Sequence, residues 1–135
     1  MVKVGDCEVP EGLYYHKEYL WARVEKGKAR IGVTDYAQKQ LREIVYVELP
    51  SAGDTITQGE PFGTVESVKA VSDLIAPISG TIEEVNEELE SKPELLNEDP
   101  YDKGWLLVIT PKNLDAELKK IMDFKAAVEW HKGLI

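Results

Sequence analysis

The stretch Phe62-Gly63-Thr64-Val65-Glu66-Ser67-Val68-Lys69-Ala70-Val71-Ser72-Asp73-Leu74-Ile75-Ala76 decides the reading of this chain. Two short runs rich in strand formers flank a polar centre, which predicts paired strands with Lys69 at their turn. Upstream, Gly53-Asp54-Thr55-Ile56-Thr57-Gln58-Gly59-Glu60-Pro61 reads as turns around a short strand; downstream, Pro77-Ile78-Ser79-Gly80 marks a second turn. A lysine on a tight turn between paired strands is accessible, rigidly placed and clear of the core. That suits a handle onto which another enzyme loads a group, so the chain reads as a carrier and not as a catalyst.

Working outward, the first two-thirds follow an all-β pattern of short strands between turn signals. Leu13-Tyr14-Tyr15 reads as an edge segment. Leu20-Trp21-Ala22-Arg23-Val24-Glu25 turns at Lys26-Gly27-Lys28 and returns as Ala29-Arg30-Ile31-Gly32-Val33, a hairpin set by its glycine turn. Thr34 is placed as the N-cap of a short helix near 34–42, with Asp35 in its first turn. Ile44-Val45-Tyr46-Val47-Glu48-Leu49 is the strongest strand, ended by Pro50 and Gly53. Gly80 to Asn86 is a further strand, and 87–104 an irregular segment with one helical turn at Glu94-Leu95-Leu96. Trp105-Leu106-Leu107-Val108-Ile109 closes the sheet and stops at Pro111. From Asn113, as cap, the apolar stripe Leu114, Leu118, Ile121 and Met122 predicts a helix over about 113–131 that packs on the sheet. Gly53-Asp54-Thr55-Ile56 and Ser79-Gly80-Thr81-Ile82 form a faint repeat meeting at Lys69.

The whole chain, 1–135, is expected to be a single domain with its core over about 13–110. No apolar run approaches the roughly 20 residues of a membrane span, and the opening segment from Met1 lacks the apolar stretch of a secretory signal. Cys7 is the only cysteine, which excludes an internal disulfide and fits a reduced, cytoplasmic setting. The formal charge of −9, from 25 acidic and 16 basic residues, argues against nucleic acid, whose binders displace counterions with a basic face. Glu83, Glu84, Glu87, Glu88, Glu90, Glu94, Glu98 and Asp99 crowd one stretch. It reads either as a solvated face or as a landing surface for basic patches on partner enzymes.

Catalytic constellations are missing. His16 and His131 are isolated, so neither a nucleophile–base pair nor a metal site is expected, and the glycines serve strand turns rather than a phosphate loop. A Schiff-base lysine needs burial or a neighbouring cation, whereas Glu66 and Asp73 flank Lys69 and favour its charged form. It can still be acylated by an enzyme that brings an activated donor and its own base.

Gly53-Asp54 through Gly59, Val65-Glu66-Ser67-Val68-Lys69-Ala70 and Ala76-Pro77-Ile78-Ser79-Gly80 together resemble the attachment signature of lipoyl carriers. The wider chain resembles the H-proteins of the glycine cleavage system. The supporting stretches are Ile31 to Gln38, Val45 to Pro50, Ser91 to Asn97 and Pro100 to Trp105. The resemblance implies a barrel-sandwich hybrid fold with flanking helices, and lipoate in amide linkage on Lys69, on an arm of about 14 Å from about ten bonds. It also implies an aminomethyl group taken from the pyridoxal-phosphate glycine decarboxylase and handed to a tetrahydrofolate-dependent aminomethyltransferase. Dihydrolipoamide dehydrogenase then reoxidises the dithiol, and a lipoate ligase or lipoyl/octanoyl transferase does the loading. Family members grip the cationic cargo in a cleft with acidic and polar side chains. The acidic position after the lysine is kept as Asp73, but Leu20 stands where the family often has Glu, and Gln40 where it often has His. The alternatives are an H-like lipoate carrier for another route (sulfur-compound oxidation or lipoyl relay), a biotin carrier and an unmodified interaction domain. Val68 and Ala70 stand against the biotin reading, since they replace the methionines typical beside a biotinylated lysine.

Overall fold

Lys26 and Gly27 both have positive φ, 50° and 77°, the conformation a two-residue hairpin turn requires. They join Leu20–Glu25 to Lys28–Val33 with Glu25 opposite Lys28, so the turn is one residue shorter than expected. In the computed structural model, which describes residues 2–135, the strands in chain order are β1 (Val2–Val4), β2 (Cys7–Val9), β3 (Tyr14–Tyr15), β4 (Leu20–Glu25) and β5 (Lys28–Val33). They continue as β6 (Ile44–Glu48), β7 (Thr55–Ile56), β8 (Pro61–Ser67), β9 (Val71–Ile75), β10 (Gly80–Val85) and β11 (Leu107–Pro111). Met1, part of the opening segment expected to lack a secretory signal, lies outside the described residues. The sheets have the orders β1-β2, β3-β4-β5-β11-β10-β7 and β6-β8-β9.

The six- and three-stranded sheets share one core of Leu20, Ile31, Ile44, Val47, Val65, Leu74, Ile78, Ile82 and Ile109, all essentially buried. This is a mainly β, flattened barrel-sandwich. Alternation along β4 sends Leu20 and Ala22 into that core and Trp21 to a second cluster with Val9, Tyr15, Tyr101 and Ala127. Gly32 lies directly against the Trp21 indole, so the ring fits only because residue 32 has no Cβ. The two halves of the faint repeat pair with each other: Gly80 lies opposite Ile56 and Thr81 opposite Thr55. That pairing leaves β8 and β9 to project together, with the lysine at their turn.

Four expectations need correction. The C-terminal helix is two: α4 (Leu114–Leu118) and α5 (Phe124–Leu134). Met122 between them exchanges backbone hydrogen bonds with Tyr15, both 2.8 Å, and a residue committed to a strand bridge cannot continue a helix. Asp123 then restarts the chain as the N-cap, accepting from Ala126 N at 2.9 Å, whereas Asn113 makes no side-chain cap. Residues 87–104 hold two helical turns, α2 (Glu88–Ser91) and α3 (Leu95–Glu98). The closing strand starts at Leu107 and runs through Pro111. The N-terminal hairpin β1-β2 was not foreseen.

The helix α1 (Asp35–Leu41) begins where expected, with Thr34 Oγ1 accepting from Ala37 N at 3.2 Å. Its position is fixed at both ends. At the start, buried Tyr101 accepts from Asp35 N and donates to Glu8 O, while the Asp35 carboxylate accepts from Glu8 N and Gln38 Nε2. At the end, Asn97 donates to Arg42 O at 2.7 Å and accepts from Ile44 N at 2.9 Å, tying helix to β6.

Candidate carrier lysine and its cleft

Lys69 is exposed at the turn between β8 and β9. The turn is organised by Ser67, whose buried hydroxyl accepts from Lys69 N at 3.2 Å and Ala70 N at 3.1 Å. Ser67 N also donates to Ala70 O at 2.8 Å, and Val68 N to Glu43 O at 3.0 Å. A side-chain hydroxyl that gathers the two amides following it imposes a turn locally. The main chain under the lysine is therefore held at four points. Sequence reasoning passed over Ser67, although a serine two residues before the exposed lysine was the available signal.

The Lys69 ammonium makes no ion pair among the described residues. Nζ instead donates to the carbonyl of Gln40 at 3.3 Å. That carbonyl belongs to the last turn of α1, where oxygens lack intrahelical partners and the helix end favours a cation. Glu66 and Asp73, expected to influence the lysine, lie on the hairpin but do not bond to it.

Beside α1 opens a cleft of about 280 Å³, lined by Glu18, Tyr19, Leu20, Tyr36, Gln40, Leu41, Val65, Asp73 and Leu74 among others. Its walls come from the start of β4, from α1 and from the β8–β9 pair. Asp73, Leu20 and Gln40, singled out from distant parts of the sequence, thus line one cavity. The size is near the lower end of small-ligand pockets, about 300 Å³. Leu20 is 2% exposed and gives an apolar wall. The second carboxylate comes from Glu18, which the sequence did not flag; like Asp73 it is solvent-exposed.

The turn carrying Glu18 is held by His16, whose Nδ1 accepts from Glu18 N at 3.0 Å. Burial pushes the His16 pKa below its ordinary value, consistent with a ring nitrogen that must stay unprotonated to accept. Tyr19 has φ of 75°, a strained conformation outside glycine. Its ring stacks on Trp130 of α5 at 5.5 Å between ring centres and packs tilted against Tyr36 at 5.4 Å. His131 is fully buried against Tyr15, Tyr36 and Trp130. Its Nδ1 meets Ala127 O at 2.7 Å while Nε2 has no partner. Both histidines are structural supports, and no group of acidic, His or Cys side chains among the described residues could hold a metal.

The first five residues of the acidic stretch lie elsewhere. Glu83, Glu84, Glu87, Glu88 and Glu90 rim a groove of about 660 Å³ floored by Val47, Leu49 and Trp105. The β6–β8 register pairs Ile44 with Ser67 near the lysine and Glu48 with Thr64 away from it, so Leu49 and this groove lie toward the opposite end of the sheet. Glu83 is paired with Thr110 and Lys28, hydrogen bonds that hold its carboxyl below the usual range.

A family model for the glycine cleavage H-protein matches residues 13–133. The chain is 52% identical over 135 residues to a probable glycine cleavage system H protein of Pyrococcus furiosus, covering 99% of this chain and all of that one. It is 61% identical over 105 residues to the glycine cleavage system H protein of Geobacillus thermodenitrificans, covering 78% of this chain and 83% of that one. The crystal structure of a glycine cleavage system H protein from Mycobacterium marinum superposes with a TM-score of 0.74 at 35% identity, covering 83% of this chain and 98% of that chain. The chain belongs to the glycine cleavage H-protein family, the lipoate-carrying component of the glycine cleavage system, which is a carrier and not a catalyst.

Proposed function

We propose that Lys69 carries lipoate in amide linkage at Nζ. On this reading the chain moves an aminomethyl group from glycine decarboxylase to an aminomethyltransferase and is reoxidised by dihydrolipoamide dehydrogenase. The observation that carries this is an exposed primary amine on a four-point turn, in contact with the helix that walls a cleft bearing two carboxylates. Lipoate, when bound, supplies a dithiolane that accepts an electron pair together with the one-carbon group. Lys69 supplies the attachment point, and the stiff turn keeps it at high effective concentration near each docked enzyme. Asp73 and Glu18 attract the cationic amine of the cargo, while Leu20 and Leu74 keep water from the apolar side of the cleft. The proposed setting is the cytoplasm, where the lone buried Cys7 stays reduced. A lipoate ligase or lipoyl/octanoyl transferase is the loading partner. Single-domain organisation over 1–135 belongs to the same reading.

Exchange of labelled bicarbonate into glycine, catalysed by the cognate decarboxylase with the loaded chain, tests it. Loaded wild type supports exchange, and Lys69→Arg stays unloaded and supports none. One observation favours a second reading: Leu20 places a hydrocarbon wall where a third carboxylate would strengthen the hold on a cation. Loading without exchange would select that reading, an H-like lipoate carrier for sulfur-compound oxidation or lipoyl relay.

A further inference from the structure

Five large apolar side chains are exposed among the described residues, and four of them crowd the lysine end of the three-stranded sheet: Val45, Tyr46, Val68 and Val71. The β6–β8 ladder shifts between Ile44 and Tyr46, and this bulge leaves Val45 and Tyr46 both outward between inward Ile44 and Val47, where strict alternation would expose only one of the two. Tyr46 pairs with Glu66 and Glu66 with Val71, so these three form one row across the sheet on a common face. Val68 and Val71 flank Lys69 in the chain. Scattered exposed hydrocarbon is ordinary, but concentration at one spot marks a surface that another molecule covers.

We propose that this patch is the docking surface for the enzyme that acylates Lys69, with Tyr46 and Val71 setting how tightly the unloaded chain is held. The proposal rests on the reading of Lys69 as the lipoylated residue. Reach selects the partner. Enzymes that work at the end of a loaded arm act about 14 Å from the backbone and can leave the flanks of the lysine uncovered. A loading enzyme must bring an activated acyl carbon onto Nζ, only about 6 Å from the main chain, and so must cover Val68 and Val71. In that step the ammonium first gives a proton to the enzyme's base. The amine then attacks the carbonyl carbon of an acyl–adenylate; the N–C bond forms and the C–O bond to phosphate breaks. AMP leaves with the electron pair, and the nitrogen loses its second proton. The fitting partner surface is a shallow apolar rim around its acyl channel, with a basic group opposite Glu66. A chain of net charge −9 is a poor match for a second copy of itself.

The test uses the unloaded chain, a purified lipoate ligase, ATP and lipoate, with loading followed by intact mass. The variant Tyr46→Ser with Val71→Ser should raise KM about tenfold with kcat within about twofold. Ile135→Ser, which removes the one exposed large apolar side chain away from the patch among the described residues, should leave both unchanged. Unloadable Lys69→Arg should inhibit loading of wild type, and the same variant carrying the patch substitutions should inhibit about tenfold less well. Wild-type KM in the patch variant, a loss confined to kcat, or equal inhibition with and without the patch would overturn the proposal. A raised KM for glycine decarboxylase with loading unaltered would overturn it too, assigning the patch to that enzyme. If wild type is loaded but the patch is inert, only this inference fails; if wild type is never acylated at Lys69, the proposed function fails with it.

Discussion

Replacing Ser67 with alanine isolates what the turn contributes to presentation of the lysine. The hydroxyl accepts from Lys69 N and Ala70 N, and a net intramolecular hydrogen bond is worth about 0.5–1.5 kcal/mol. The hydroxyl also donates to Ala70 O at 3.3 Å, but the two bonds that hold the amides set a ceiling of about 3 kcal/mol on their protection. Lys69 and Ala70 are exposed, so water recovers part of it, and about 1–2 kcal/mol is expected. Since about 1.4 kcal/mol is tenfold in an equilibrium, the amides of residues 69 and 70 should exchange with solvent about tenfold faster. Amides of β10 should be unaffected, because the loss is local. Hydrogen exchange followed by NMR measures both, and urea titration measures the global change. Unaltered exchange at 69 and 70, with the variant folded, would refute the claim that the serine holds the turn.

Gly32→Ala should be among the most disruptive single-methyl changes, since its Cβ falls within the Trp21 indole; overpacking of this kind costs about 1–3 kcal/mol, read as a lower urea midpoint. His16 is held below its ordinary pKa of 6.5 by burial. Its contribution to stability is thus present above that value and lost as the pH falls below it, when the unfolded chain takes up the proton first. His16→Asn keeps an acceptor for Glu18 N and should flatten this part of the pH–stability profile. Asp73→Asn and Glu18→Gln should each speed loss of a cationic cargo from the loaded chain. Both carboxylates are exposed, so the effect is about 1 kcal/mol or less, a few-fold change in the release rate.

The sheet was largely readable because its turns carry their own chemistry: the glycine at 27 marks a hairpin turn, although Lys28 belongs to the returning strand and not to the turn, and Thr34 announces the helix that follows. Lys69 stood out for the same reason. What escaped depended on partners far along the chain. Met122 leaves the helical pattern because Tyr15 takes its backbone, and no local preference at residue 122 reports that. The strands beside Cys7 are three residues long, too short for alternation to register, and the second of them is held at Glu8 by Asp35 and Tyr101. Glu18 became a site candidate only when folding brought it across from Asp73. The positions marked by resemblance, Leu20 and Gln40, proved to line that same cavity.

The resting ammonium of Lys69 touches a main-chain oxygen, not the side chain of Gln40. Every amino acid brings that oxygen, so mutation at position 40 can retune the mouth of the cavity without evicting the empty handle from its perch. Evolution could therefore trade cargo preference at this position while loading competence stayed intact, and a designer could exploit the same freedom.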